Sequence, residues 1–273
     1  MTAARGATGA PTAFLLDLDG TLYTEAGPVA GAVDALAALK HRRLPFRCIT
    51  NTTRRPRASI VERLRNFGFN IQAGDVFTSV LAGAEIMRGR GCHTVAPFVA
   101  EATLPDLGEF DLVGGTARRA GGNTRPDAVL VGDLGDRWTY ALMNEAFRYL
   151  MAGADLIALS RDRYWMRGDG LALDAGPFVI GLEHASGAQA TVAGKPSAAF
   201  FTAAARSLGV AQEAHSQVAV VGDDLWSDVE GAQRAGFLGW LVRTGKYRDE
   251  VLQSSGIRPD RILHSVAEVV APA

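Results

Sequence analysis

The sequence predicts an α/β fold, a doubly wound parallel sheet with a second α/β segment inserted into it. Three observations predict this. Strand-like and helix-like segments alternate over residues 1–80 and again over 193–273, the grammar of a parallel sheet covered on both faces. The strong strands of these two segments each end in polar residues, where open α/β sheets bind ligands. The span 81–192 holds strands and helices of its own and is too long to be one loop, so it reads as an inserted α/β domain.

The elements follow in order. Residues 1–12, MTAARGATGAPT, are small and polar and read as a loose arm, without the apolar core of a signal peptide. Residues 13–16 form the first strand. Residues 29–42 show helical spacing, with Val33, Leu36, Ala37 and Leu39 on one face. Residues 46–49 are the second strand. Residues 59–67 form a helix closed by Gly68, and 76–79 form a short third strand.

The insert contributes HTVAPFV, FDLVGG, DAVLVGD, a helix over 140–151 and ADLIALS. The glycine pairs Gly114, Gly115 and Gly121, Gly122 break it up, with Arg118 and Arg119 between them. The outer pattern then resumes. An alanine-rich helix covers 197–208 and stops at Gly209, and the strand QVAVV covers 217–221. A helix over 228–235 stops at Gly236, a strand covers 239–242, and 261–270 closes with a short strand and helix.

Composition excludes several function classes. The 273 residues are 48% hydrophobic and 21% charged, as in a soluble globular protein. Lys+Arg total 28 and Asp+Glu 29, so no global field favours nucleic acid or an anionic membrane. No run reaches the roughly 20 apolar residues of a membrane helix. Two cysteines, Cys48 and Cys92, make no disulfide framework and no metal spacing, which fits a reducing, cytoplasmic compartment. The five histidines are scattered without metal spacing.

The chemistry lies at the strand ends. The first strand runs into Asp17, Leu18, Asp19, Gly20 and Thr21, the second into Thr50, Asn51, Thr52 and Thr53. QVAVV runs into Gly222, Asp223 and Asp224, with Asp228 close behind. These clusters should meet in one crevice, where the carboxylates would repel one another unless a divalent cation joined them. Oxygen ligands without His or Cys favour Mg²⁺ bound together with substrate phosphate. Thr50, Asn51 and Thr52 suit an anion, and Lys195 in AGKPS supplies a cation before a helix start. A carboxylate can attack phosphorus and a second one can move protons, so phosphoryl transfer follows from the residue types. Asp228 also reads simply as an acid in a helix first turn. Arg54, Arg55 and Arg57 either guide an anion or form a solvated basic face. Arg161, Asp162, Tyr164 and Trp165 are either a specificity loop or aromatic packing with surface charges.

This ordered set resembles the haloacid dehalogenase (HAD) superfamily of phosphohydrolases. Its first motif is matched by Asp17, Asp19, Gly20 and Thr21, its second by Thr50, its third by Lys195 and its fourth by Gly222, Asp223, Asp224 and Asp228. The resemblance runs from about residue 13 to residue 265. The long insert between Thr50 and Lys195 is similar to the C2 cap of subfamily IIA, the NagD-like branch. TNTT, DGLALDAGPF, VAGKPS and GDDLWSDVEGAQRAG look like the subgroup of phospholysine phosphohistidine inorganic pyrophosphate phosphatase and its dehalogenase-like-domain relatives.

The resemblance implies a Rossmann-like core, 1–80 with 193–273, and a C2 cap, 81–192. It implies an aspartyl-phosphate on Asp17, with Asp19 as acid and base. Thr50, Asn51 and Lys195 would hold phosphate, the role of Thr52 staying open because many relatives read TNN there. Mg²⁺ would be held by Asp17, the Asp19 carbonyl and Asp223, with Asp224 or Asp228 completing the shell. Arg161, Tyr164 and Trp165 are the candidate cap specificity residues. The expected partner is a small phosphorylated metabolite, with a homodimer through the cap possible. A phosphotransferase of the same superfamily is the alternative within enzymes. A non-catalytic phosphate-responsive module is the alternative outside them, disfavoured because it needs neither Asp19 nor a cap.

Overall fold

The computed structural model describes residues 10–117, 125–168 and 170–270. The first nine residues of the polar arm, Arg118 and Arg119, and Gly121 and Gly122 lie outside the described residues. The chain opens with β1 (Ala13–Asp17), the small hairpin of β2 (Tyr23–Thr24) and β3 (Gly27–Pro28), and α1 (Ala32–His41). Next come β4 (Phe46–Thr50), α2 (Arg57–Asn66), β5 (Val76–Thr78) and α3 (Ser79–Gly89). They are followed by β6 (Thr94–Phe98), β7 (Asp111–Leu112), β8 (Ala128–Val131), α4 (Tyr140–Met151) and β9 (Asp155–Ala158). A second hairpin, β10 (Tyr164–Arg167) and β11 (Gly170–Leu173), leads to α5 (Gly176–Ser186) and β12 (Thr191–Val192). The last part holds α6 (Ala198–Ser207), β13 (Val218–Gly222), α7 (Gly231–Arg234), β14 (Leu238–Val242), α8 (Asp249–Ser255) and β15 (Arg261–Leu263).

Two compact units result. The first comprises Met1–Thr50, Val61–Phe77 and Lys195–Ala273. Its six-stranded sheet has the order β15-β14-β13-β1-β4-β5. The pairs β1–β13, β1–β4, β13–β14 and β14–β15 are parallel. β1, β13 and β14 are buried along their whole length, as parallel strands covered on both faces must be. That is why AFLL and VAVV read as unbroken apolar runs. Chain connections leave β1 toward β4 on one side and return through β13 on the other, so a crevice opens at the carboxyl end of β1.

The second unit comprises Asn51–Ile60 and Thr78–Gly194. Its sheet has the order β12-β9-β8-β6-β7, and all four neighbouring pairs are parallel. The core is built from β6, β8 and β9 with α4 and α5 (Phe98, Val129, Leu150, Leu156, Val179, Leu182). Phe98, Trp138 and Phe178 stack in a row, with centroid spacings of 6.0 and 4.9 Å.

Several elements differ from the sequence reading. The helix expected from residue 29 starts at Ala32, because Gly31 just before it is left-handed (φ 76) and breaks the helical path. Ser79 opens α3 rather than ending a strand, since the Thr78 hydroxyl caps that helix by accepting from the Leu81 N–H. The helix expected over 228–235 is a π-type turn over Leu225–Glu230 followed by the short α7. Residues 266–268 make a 3₁₀ turn instead of a last helix. No helix among the described residues is long and apolar enough to cross a membrane.

Candidate active site

Parallel register aligns the strand ends of the first unit. Asp17 closes β1, and its Cα lies opposite Ile49, one residue before the buried Thr50 that closes β4. On the other side Leu16 pairs with Val221, so Gly222 and Asp223 arrive at the same end of the sheet. Lys195 opens the third segment of this unit and is 6% exposed. Its Nζ donates to Asp17 Oδ1 at 2.5 Å and to Asp228 Oδ1 at 2.6 Å. Asp17, Asp223 and Asp228 are all buried, and one carboxylate oxygen from each lies within 4.8 Å of the others.

Three buried carboxylates, two of them bonded to one ammonium, are two positive charges short of balance. Burial dominates their titration. It pushes Asp17 up to about 6 and Asp228 up to about 7, although Lys195 pulls both down. It also pushes Asp223 up to about 6, against the Lys246 N–H that favours its charged form. Burial disfavours the Lys195 charge too, but the Asp17 and Asp228 carboxylates outweigh it and hold the ammonium above its ordinary value. Such a cluster of hard oxygens fits a divalent cation that supplies the missing charge. The surrounding cradle is equally tight. Gly20 (φ 87) stands so close that a Cβ there would lie 2.0 Å from Asp223 Oδ2.

The two remaining acids of the fourth motif have different surroundings. Asp228 is 1% exposed and faces Lys195. Asp224 caps its own turn, accepting from the Trp226 and Ser227 N–H groups at 3.0 Å each, and pairs with Lys246 Nζ at 2.9 Å. Burial works against its charge, but Lys246 and those N–H groups keep it below the ordinary carboxylate range. Asp19 is exposed, and burial together with the nearby Asp19 charge pushes the phenol of buried Tyr23 up. The Arg63 guanidinium lies 4.6 Å above the Tyr23 ring. Neither Tyr23 nor Lys246 was singled out in the sequence. Lys246 was within reach, because it follows β14 at the same carboxyl end as the motif acids.

The other sequence candidates lie in the second unit. Asn51 and Thr52 are its first two residues, and their carbonyls both accept from the Ser79 hydroxyl at 3.4 Å. Arg161 pairs with Glu183 at 2.7 Å. Tyr164 is exposed and lies against Arg163. Trp165 lies against Arg54, whose guanidinium is 5.9 Å from the ring and 3.7 Å from Asp133. Arg54 and Trp165 line an open cleft of about 390 Å³ with Asp136, Leu171, Leu173 and Phe178. Arg54 is therefore more than part of a solvated face. The Arg57 N–H donates to Asp106 at the start of α2.

Two family profiles match this chain: haloacid dehalogenase-like hydrolase over residues 14–112 and HAD-hydrolase-like over residues 192–269. The haloacid dehalogenase-like hydrolase domain-containing protein 2 of Pongo abelii is 40% identical over 236 residues, covering 86% of this chain and 85% of that protein. The chain belongs to the haloacid dehalogenase-like hydrolase family. Within this HAD family it is also similar to the human phospholysine phosphohistidine inorganic pyrophosphate phosphatase. The two are 36% identical over 262 residues, which is 94% of this chain and 92% of that one. Among solved structures, NagD from E. coli K-12 superposes with a TM-score of 0.82 at 25% identity, covering 95% of this chain and 98% of the other. A glycerol phosphate phosphatase from Mycobacterium tuberculosis in complex with magnesium superposes with a TM-score of 0.80 at 29% identity. That match covers 95% of this chain and 77% of the other. The likeness to NagD agrees with the NagD-like branch of the HAD fold, subfamily IIA.

Proposed function

We propose that this protein is a Mg²⁺-dependent phosphatase that hydrolyses a small phosphorylated molecule through an aspartyl-phosphate on Asp17. One observation carries the reading: Asp17 and Asp228 converge, buried, on the Lys195 ammonium at the carboxyl end of the sheet, with an oxygen of buried Asp223 within 4.8 Å of theirs. The phosphatase names of the relatives and structural neighbours support the same class. Asp17, Asp223 and the Asp19 main-chain carbonyl would hold Mg²⁺, with Asp228 in support rather than Asp224, which is occupied by its own turn and by Lys246. When bound, the cation supplies positive charge against the phosphoryl oxygens.

In the first step an Asp17 oxygen attacks phosphorus, the bond from phosphorus to the leaving oxygen breaks, and Asp19 gives that oxygen a proton. In the second, Asp19 takes a proton from water as the water attacks phosphorus. The bond to Asp17 breaks, and inorganic phosphate leaves. Lys195 holds Asp17 in place and balances charge beside it, and Thr50 and Asn51 bind phosphate. The second unit acts as the C2 cap and limits which leaving group fits. Arg161 is engaged by Glu183, so Trp165 and Arg54 are the stronger cap candidates.

The test uses p-nitrophenyl phosphate. Wild type with Mg²⁺ is expected to release p-nitrophenolate, and Asp17→Asn to lose on the order of 10³-fold or more. Equal rates in the two proteins, or full activity after chelation, would sink the reading. Asp19→Ala is expected to slow both chemical steps. A panel of phosphosugars, nucleotides, pyridoxal phosphate, pyrophosphate and phosphoamidates then finds the substrate class.

A further inference from the structure

We propose that residues 244–246, the turn after β14, position Asp223 for the divalent cation. This rests on the reading above that Asp223 is a ligand. Three contacts carry it. The Lys246 N–H donates to Asp223 Oδ2 at 2.7 Å. The Thr244 hydroxyl donates to the Gly20 carbonyl at 2.6 Å, tying this turn to the one that follows Asp19. Gly245 (φ 58) packs so closely that a Cβ there would lie 2.0 Å from Asp223 Oδ2 and 2.7 Å from Gly20 Cα. The carboxylate is therefore held by one donor and walled by two glycines. One of its oxygens is spent on the turn, and the other is left for the cation. A ligating carboxylate oriented this way binds metal more tightly, because its rotamer is set before the ion arrives.

The side chain of Lys246 has a separate partner, since its Nζ pairs with Asp224. Backbone and side-chain roles can therefore be told apart. The experiment titrates MgCl₂ alone into metal-free protein and reads the rise in thermal midpoint. Thr244→Val and Gly245→Ala are expected to raise the half-saturating Mg²⁺ concentration on the order of 10–100-fold. Thr244→Ser keeps the hydroxyl and Lys246→Ala keeps the N–H, so both should stay within about threefold of wild type. At saturating Mg²⁺ the KM for p-nitrophenyl phosphate should not move in any of these variants. Asp223→Asn is the control. If it weakens Mg²⁺ binding while Thr244→Val and Gly245→Ala bind as wild type does, the positioning role is wrong and the ligand reading stands. If Asp223→Asn binds as wild type does, the ligand reading itself has failed. A Lys246→Ala effect as large as that of Thr244→Val would also overturn the proposal, placing the effect in the Asp224 ion pair. Should Gly245→Ala not fold, Thr244→Val against Thr244→Ser decides alone.

Discussion

Lys195 binds two buried carboxylates at once, and this decides how the candidate site responds to change. Its pKa is raised above the unfolded value of 10.5, so its own contribution is fully present at every pH below that. The pH dependence comes from its partners. Removing the cation leaves Asp17 and Asp228 facing each other in a buried site, which is costly only while they are charged. Their ordinary value is 3.8 and burial raises them to about 6 and about 7, so protonation relieves the repulsion at acid pH. Lys195→Met is expected to destabilise metal-free protein by about 3–5 kcal/mol at about pH 8 and far less at about pH 5, as denaturant melts would read. An equal loss at both values would mean that the carboxylates do not carry the cost. From the sequence, Asp17, Asp19 and Lys195 stood out through the ordered set of motifs. Asp228 belonged to the same set but kept a second reading, because an acid in the first turn of a helix has a reason to be there without any site.

At the scale of elements, the divergence of Asp224 from Asp228 comes from the π-type turn over Leu225–Glu230. In it the Val229 N–H reaches the Asp224 carbonyl, five residues back, at 3.2 Å. The wider turn leaves Asp224 as the cap, accepting from N–H groups, while Asp228 faces Lys195. A regular helix expected from periodicity does not contain this offset. Short hairpins such as β2–β3 escape pattern reading for a related reason, since two residues per strand show no period. Helix α4, by contrast, was readable to the residue, because its apolar spacing is regular and Thr139 marks its start. The exposed Thr139 hydroxyl accepts from the Leu142 N–H at 3.2 Å. Thr139→Ala is therefore expected to cost about 1 kcal/mol in equilibrium unfolding, with p-nitrophenyl phosphate hydrolysis unchanged. A loss of activity without loss of stability would contradict the cap role.

For the whole molecule, the buried acids make stability a function of pH and of metal. Asp17, Asp223 and Asp228 titrate higher in the fold than their ordinary 3.8, so the native state binds more protons than the unfolded one between that value and about 7. Without metal, the stability these acids contribute falls as pH rises across that window. Mg²⁺ needs the deprotonated carboxylates, so its stabilising effect should grow over the same range. Saturating Mg²⁺ is expected to raise the thermal midpoint more at about pH 8 than at about pH 5.5. A shift independent of pH would mean that the ion binds away from these acids. The sequence by itself determined the α/β class, the parallel sheet, the family and the acids at the strand ends. It could do so because burial on both faces demands apolar runs and a strand end demands polar residues, and both are written locally. Only the tertiary structure decided which acids share Lys195 and that the turn over 244–246 closes on Asp223. It also decided that Arg54 and Trp165 form one wall of a cleft. These depend on where side chains from distant segments point, which spacing along the chain does not encode.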